Sequence, residues 1–120
     1  MKMRLFFVAV FIAGMLMLTA FQKSSFDLKA SIANGKEVYG TYCLSCHMAQ
    51  GEGMEDIYPP LAKSDYLMKD KKRSILQVLY GATGEMKVNG KTYFIDMAGL
   101  DLSDKEVSDV LNYVRNSFGN

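Results

Sequence analysis

The stretch Cys43-Leu44-Ser45-Cys46-His47 holds both cysteines and the single histidine of a 120-residue chain. A polypeptide that gathers all its thiol and imidazole donors into five positions must fold around whatever those donors bind. Several uses compete. A disulfide between residues three apart closes a very small ring and staples little of a fold. A thioredoxin-like redox pair needs the motif to follow a strand in a βαβ unit, whereas the residues before Cys43 carry a helical pattern. Zinc needs a fourth protein ligand, and with every Cys and His already counted only carboxylates or water remain. Adjacent Cys46 and His47 also reach one tetrahedral ion with difficulty.

The first twenty residues supply a compartment. Lys2 and Arg4 precede an uncharged apolar run from Leu5 to Ala20, followed by the polar Gln22, Lys23, Ser24 and Ser25. That is the n-region and h-region layout of an export signal. As a helix the run extends about 24 Å, short of a hydrocarbon layer of roughly 30 Å, which favours a cleaved signal over a retained anchor spanning residues 5–21. Either outcome places the chain from about Phe26 onward in the periplasm or on the outer face of the cytoplasmic membrane. Without Lys2 and Arg4 the balance is 12 basic against 13 acidic side chains, which gives no case for nucleic-acid binding.

The fourth use of residues 43–47 suits that setting: a covalently attached c-type haem. Each thiol adds to one vinyl group of the porphyrin, the two-residue spacer presents both sulfurs from one helical turn, and His47 is directed at the iron from the same side. Attachment prevents loss of the haem outside the cytoplasm and uses up thiols that would otherwise oxidise.

The flanking pattern is mainly helical. After a short tether at 21–30, whose last residues from Asp27 already carry helical periodicity, Leu28, Ile32, Gly35, Tyr39 and Tyr42 recur at four- and three-residue spacing toward Cys43. Gly35 in that stripe suggests a close helix crossing. Residues 48–65 contain Gly51, Gly53, Pro59 and Pro60 without periodicity and read as an irregular loop wrapped around something. Tyr66 to Tyr80 reads as a helical turn followed by a helix, with Asp70 as N-cap, Ile75, Val78 and Leu79 inward, and Gly81 as the stop. Asn89-Gly90 marks a small hairpin. Ser103 and Glu106 form a capping box for a final helix whose inner face is Val107, Leu111, Val114 and Phe118.

With one histidine, a second soft donor to iron must be a methionine. Met48 adjoins His47, Met54 follows too closely, and Met68 lies in a helical pattern. Met97 is favoured because Asp96, Ala98 and Gly99 leave it as a lone large apolar side chain at a bend before a well-capped helix. Met86, in the same irregular stretch, remains the alternative. For the other methionines, core filling by a flexible thioether is the simpler reading.

Taken together the chain resembles a class I mono-haem bacterial cytochrome c over residues 31–119. The resemblance rests on Gly35-Lys36-x-x-Tyr39 before Cys43-x-x-Cys46-His47, on Pro59-Pro60-Leu61-Ala62, on Asn89-Gly90-Lys91-x-Tyr93, on the Met97 loop, and on Leu102-Ser103-Asp104 with the run from Tyr113 to Asn120. It implies an all-α cytochrome c fold, three principal helices and a short helical turn around one haem c. The first and last helices would cross near Gly35, with Tyr39 against Tyr113 or Val114. Pro60 is favoured over Pro59 as the carbonyl accepting the His47 Nδ1 proton, and Leu61 would pack on the haem. The departure is Ile95-Asp96-Met97-Ala98-Gly99, where the family usually has proline after the methionine. Its loss frees the unfolded loop by a few tenths to about 1 kcal/mol.

Ligation by His47 and Met97 leaves no open iron position, so the resemblance implies a one-electron carrier between respiratory partners and not an enzyme. The alternative is a dedicated haem subunit of a dehydrogenase or terminal oxidase or reductase complex. A haem-based sensor or weak peroxidase would follow only if Met97 left the iron. Apolar lining from Leu61, Leu79, Tyr93 and Phe94 would raise the potential. Lys69, Lys71, Lys72 and Arg73 read as a solvated helix surface, and Lys87 and Lys91 as the cations that guide a redox partner to the haem edge.

Overall fold

The computed structural model describes Met3 and residues 25–120, so the export-signal reading of residues 1–20 lies, apart from Met3, outside the described residues. Five helical segments follow in order: α1 (Leu28–Tyr42), α2 (Leu44–His47), α3 (Asp65–Lys69), α4 (Lys71–Tyr80) and α5 (Asp104–Arg115). Between α4 and α5 lie four short strands, β1 (Gly81–Ala82), β2 (Met86–Val88), β3 (Lys91–Tyr93) and β4 (Met97–Ala98). They pair antiparallel as β1 with β4 and β2 with β3. The three longest helices are those expected. The fold is nonetheless not purely helical, because β1–β4 joins segments too short for any periodicity to reveal.

Every helix start except that of α2 has a side-chain cap that satisfies orphan N–H groups. Asp27 accepts from Ala30 N, Ser64 from Leu67 N, and Asp70 from Arg73 N. Ser103 and Glu106 form the reciprocal capping box of α5. At the β2–β3 turn Asn89 and Gly90 both have positive φ (50° and 82°), the combination that the type I′ hairpin requires.

The organising contact is the crossing of α1 and α5. The face that α1 buries is Ser31, Gly35 and Tyr39, one turn apart, while Leu28 and Tyr42 of the expected stripe are largely exposed. Gly35 and Tyr39 of that stripe are buried as expected, and apolarity missed Ser31 because a helix crossing this close selects small residues. A Cβ on Gly35 would stand 1.9 Å from the Asp109 carbonyl oxygen. Beside it, Ser31 Oγ donates to Asp109 Oδ1 at 2.5 Å and Asn112 Nδ2 donates to Ser31 Oγ at 3.0 Å. Burial pushes the Asp109 carboxyl up, but hydrogen bonds from Lys105 and Ser31 outweigh it and hold the group below its ordinary value.

At the other end of the crossing Tyr39 packs against Tyr113 and Phe118 with ring centroids 5.4 Å away in each case, as aromatic pairs prefer. A second small cluster of Met86, Val88 and Tyr93 sits on the hairpin. In α4 the inward residue is Ser74, donating to Asp70 O and lying 3.2 Å from Leu67 O, whereas Ile75 faces solvent.

Candidate haem site

Cys43 ends α1, and its carbonyl accepts from Cys46 N and His47 N. The motif is thereby a single helical turn, and residues three and four apart share its face. Cys43, Cys46 and His47 line one cavity of about 330 Å³. The chain then reverses at Met48, in the left-handed region at φ 62°. Tyr39 Oη donates to Met48 O at 2.6 Å, which ties this reversal to the helix crossing.

Residues 48–64 fold back on the histidine. Gly53 N donates to His47 O, and Leu61 N and Ala62 N both donate to Gly51 O at 2.8 Å. His47 Nδ1 lies 3.0 Å from Pro59 O, and a carbonyl can only accept, so Nδ1 carries the proton and the Nε2 lone pair is left free for a metal. The acceptor is thus Pro59 and not the expected Pro60. Two consecutive carbonyls point in different directions along the loop, and the sequence holds no sign of which one turns toward the ring. Pro60 and Leu61 themselves lie on the cavity wall. Burial lowers the His47 pKa, and the Pro59 bond only partly opposes this, which favours the neutral, ligating form of the ring. Burial, with Cys46 adding to it, pushes the Cys43 thiol up to about 11.

Asn120 fixes the same loop from the far side. Its Nδ2 donates to Leu61 O (2.9 Å) and Val114 O (2.8 Å), and its Oδ1 accepts from Ser64 N (3.1 Å). Neither this clamp nor the Tyr39–Met48 bond carries a signal in the sequence, because each partner is an unremarked backbone group.

Met97 reaches the cavity from β4, and Met86 from β2. The Met97 segment lies flat on the end of α4. A Cβ on Gly81 (φ +83°) would meet Met97 O at 2.3 Å, one on Gly99 would meet Leu79 O at 2.6 Å, and Leu100 N donates to Val78 O at 2.9 Å. Gly81, read from sequence as a helix stop, also admits the methionine strand. Three lining residues expected from the resemblance stand elsewhere. Tyr93 is buried but off the wall, packed on Met86 and Val88, which occupy the wall themselves. Phe94 is 71% exposed, and Leu79 lies outside the lining.

The charges divide differently from the sequence reading. Lys91 Nζ is 2.8 Å from Asp56 Oδ1 and 3.1 Å from Glu55 Oε1, so it fastens the hairpin to the 48–58 segment. Arg73 stacks on the Tyr66 ring at 3.7 Å and donates to Tyr66 O. Lys87 stands exposed on β2 and shares a surface hollow with Lys69.

An apolar cavity with two thiols and a free imidazole nitrogen on one wall, and thioethers on the wall's other strands, has the donor set for a thioether-linked iron porphyrin. Fold and site together define a small electron-transfer protein of the haem-carrying kind. The cytochrome c family model matches residues 32–118, and the chain belongs to that family. It folds as a cytochrome c, carries covalent haem c and transfers electrons with it. It is 35% identical over 92 residues to cytochrome c-552 of Thermus thermophilus, a match covering 72% of this chain and 70% of that relative. A second cytochrome c-552 sequence from the same species is also 35% identical over 92 residues, with 62% of it covered. Over 88 residues the chain is 34% identical to the cytochrome c subunit of the quinone alcohol dehydrogenase of Gluconobacter oxydans (strain 621H), of which the match covers 18%.

Proposed function

We propose that the chain relays single electrons between redox proteins outside the cytoplasm, with haem held by Cys43 and Cys46 and its iron ligated by His47 and Met97. The observation that carries this reading is the convergence of these four side chains on one apolar cavity. The bound haem supplies a one-electron iron couple. Everything else is the chain's work: Pro59 O fixes the His47 tautomer and strengthens it as a donor, and the apolar walls favour the less charged, reduced iron. With His47 and Met97 both as donors, the iron would have no position open to a substrate, which supports a carrier and not an enzyme.

The partner-facing cations are Lys87 and Lys69, since Lys91 is neutralised by Glu55 and Asp56. Among the described residues no helix is long and apolar enough to cross a membrane.

Resemblance to the dehydrogenase subunit supports a second reading, a haem subunit dedicated to one dehydrogenase or terminal complex. Co-purification from membrane and soluble fractions separates the two. The deciding test of the site is the intact mass of the denatured protein with its optical spectrum. A mass increment of one haem and a methionine–iron charge-transfer band are expected, and a mass equal to the bare polypeptide overturns the reading.

A further inference from the structure

Two thioethers line the cavity, and they hang from separate supports. Met97 belongs to β4, held by a two-residue pairing, Gly81 with Ala98 and Ala82 with Met97, and by the bond from Leu100 N to Val78 O at the end of α4. Met86 belongs to the hairpin, paired opposite Tyr93 in a three-residue ladder closed by Asn89-Gly90. The two meet through Ala82, which pairs with Met97 on one side and packs against the Met86, Val88 and Tyr93 cluster on the other.

We infer that Met86 is a reserve thioether for the haem iron, able to take the sixth position whenever Met97 leaves it, because both side chains line the same cavity from independently anchored strands. The inference rests on the reading of Met97 as the resident ligand. Methionine is unbranched, with three rotatable side-chain bonds, and can swing within a cavity while its backbone stays fixed. Although Ala82 touches both, the hairpin has a hold that β4 does not share, to α3, which can keep it in place when β4 shifts: Asp65 N donates to Asn89 Oδ1 at 3.0 Å and Asn89 N to Asp65 Oδ1 at 2.7 Å. The exchange breaks one sulfur–iron bond and makes another, with no net change in electrons or protons. A loop carrying Ala98 where the family usually has proline then opens without exposing the iron to outside ligands.

The test uses the holoprotein and three variants, Met97→Ala, Met86→Leu and the double variant, read by ferrous proton NMR of the ligating methionine methyl, ferric optical spectra and the rate of cyanide binding. Met97→Ala is expected to stay low-spin and to keep a shifted methionine methyl resonance. The double variant is expected to lose that resonance, become high-spin and bind cyanide at least tenfold faster. Met86→Leu alone is expected to retain the wild-type resonance while binding cyanide about threefold faster, a readout that stands even if Met97→Ala fails to mature. A Met97→Ala protein that is high-spin, or low-spin without a methionine resonance, overturns the inference, as does an unchanged cyanide rate in Met86→Leu. Loss of the wild-type resonance in Met86→Leu instead makes Met86 the resident ligand, which is the failure of the Met97 reading itself.

Discussion

Gly35 lies so close to Asp109 that a Cβ on the glycine would stand 1.9 Å from the aspartate's carbonyl oxygen. The obstacle is helix backbone and cannot rotate aside. Gly35→Ala is therefore expected to force α1 and α5 apart and to destabilise the holoprotein by about 3 kcal/mol or more. Guanidinium unfolding followed by haem absorbance checks this, and a loss below about 1 kcal/mol would mean that the helices do not cross at this distance.

The Asp109 side chain sets an acid limit at the same crossing. Its folded pKa lies below the ordinary value, so its contribution is complete above the unfolded pKa of about 3.9 and is lost as pH falls through the folded one. Asp109→Asn is expected to cost about 1–3 kcal/mol at neutral pH. The variant should also show a shallower fall in stability than the wild type below about pH 4. Parallel acid arms in the two proteins would contradict the assignment.

Gly81 should control the methionine side of the haem without touching it. With φ at +83° and Met97 O where a Cβ would go, Gly81→Ala must displace β4. The expected result is retained covalent haem with a perturbed methionine–iron band, and, when Gly81→Ala is combined with Met86→Leu, a weakened band and faster imidazole binding. Gly84 also has positive φ but no atom within 4 Å of a Cβ. Gly84→Ala is expected to cost stability of about 1 kcal/mol and leave the band intact.

Asn120→Ala removes three hydrogen bonds between the 61–64 segment and the end of α5. A loss of about 1–3 kcal/mol is expected. Amide exchange is the specific measurement: Ser64 N–H should exchange much faster, while Leu61 N–H, held by Gly51 O, changes little.

Lysine substitutions separate docking from structure. Lys87→Glu is expected to slow electron exchange with an anionic partner several-fold at low salt and hardly at high salt. Lys91→Ala should act mainly by freeing the hairpin from Glu55 and Asp56, with little salt dependence. The opposite ranking would return Lys91 to the docking surface.

What the sequence determined by itself was local: the helical turn carrying Cys43, Cys46 and His47, the caps at Asp70 and Ser103, the Asn89-Gly90 turn and the crossing at Gly35. Each depends on residues within a few positions of one another, or on a side chain whose absence has one common use. Tertiary structure alone decided the choice of Pro59 over Pro60, the withdrawal of Tyr93 and Phe94 from the cavity, the pairing of Lys91 with acids and the seat of Met97 on Gly81. These depend on which way a carbonyl or side chain points once distant segments pack, and such directions have no periodicity for a sequence to display.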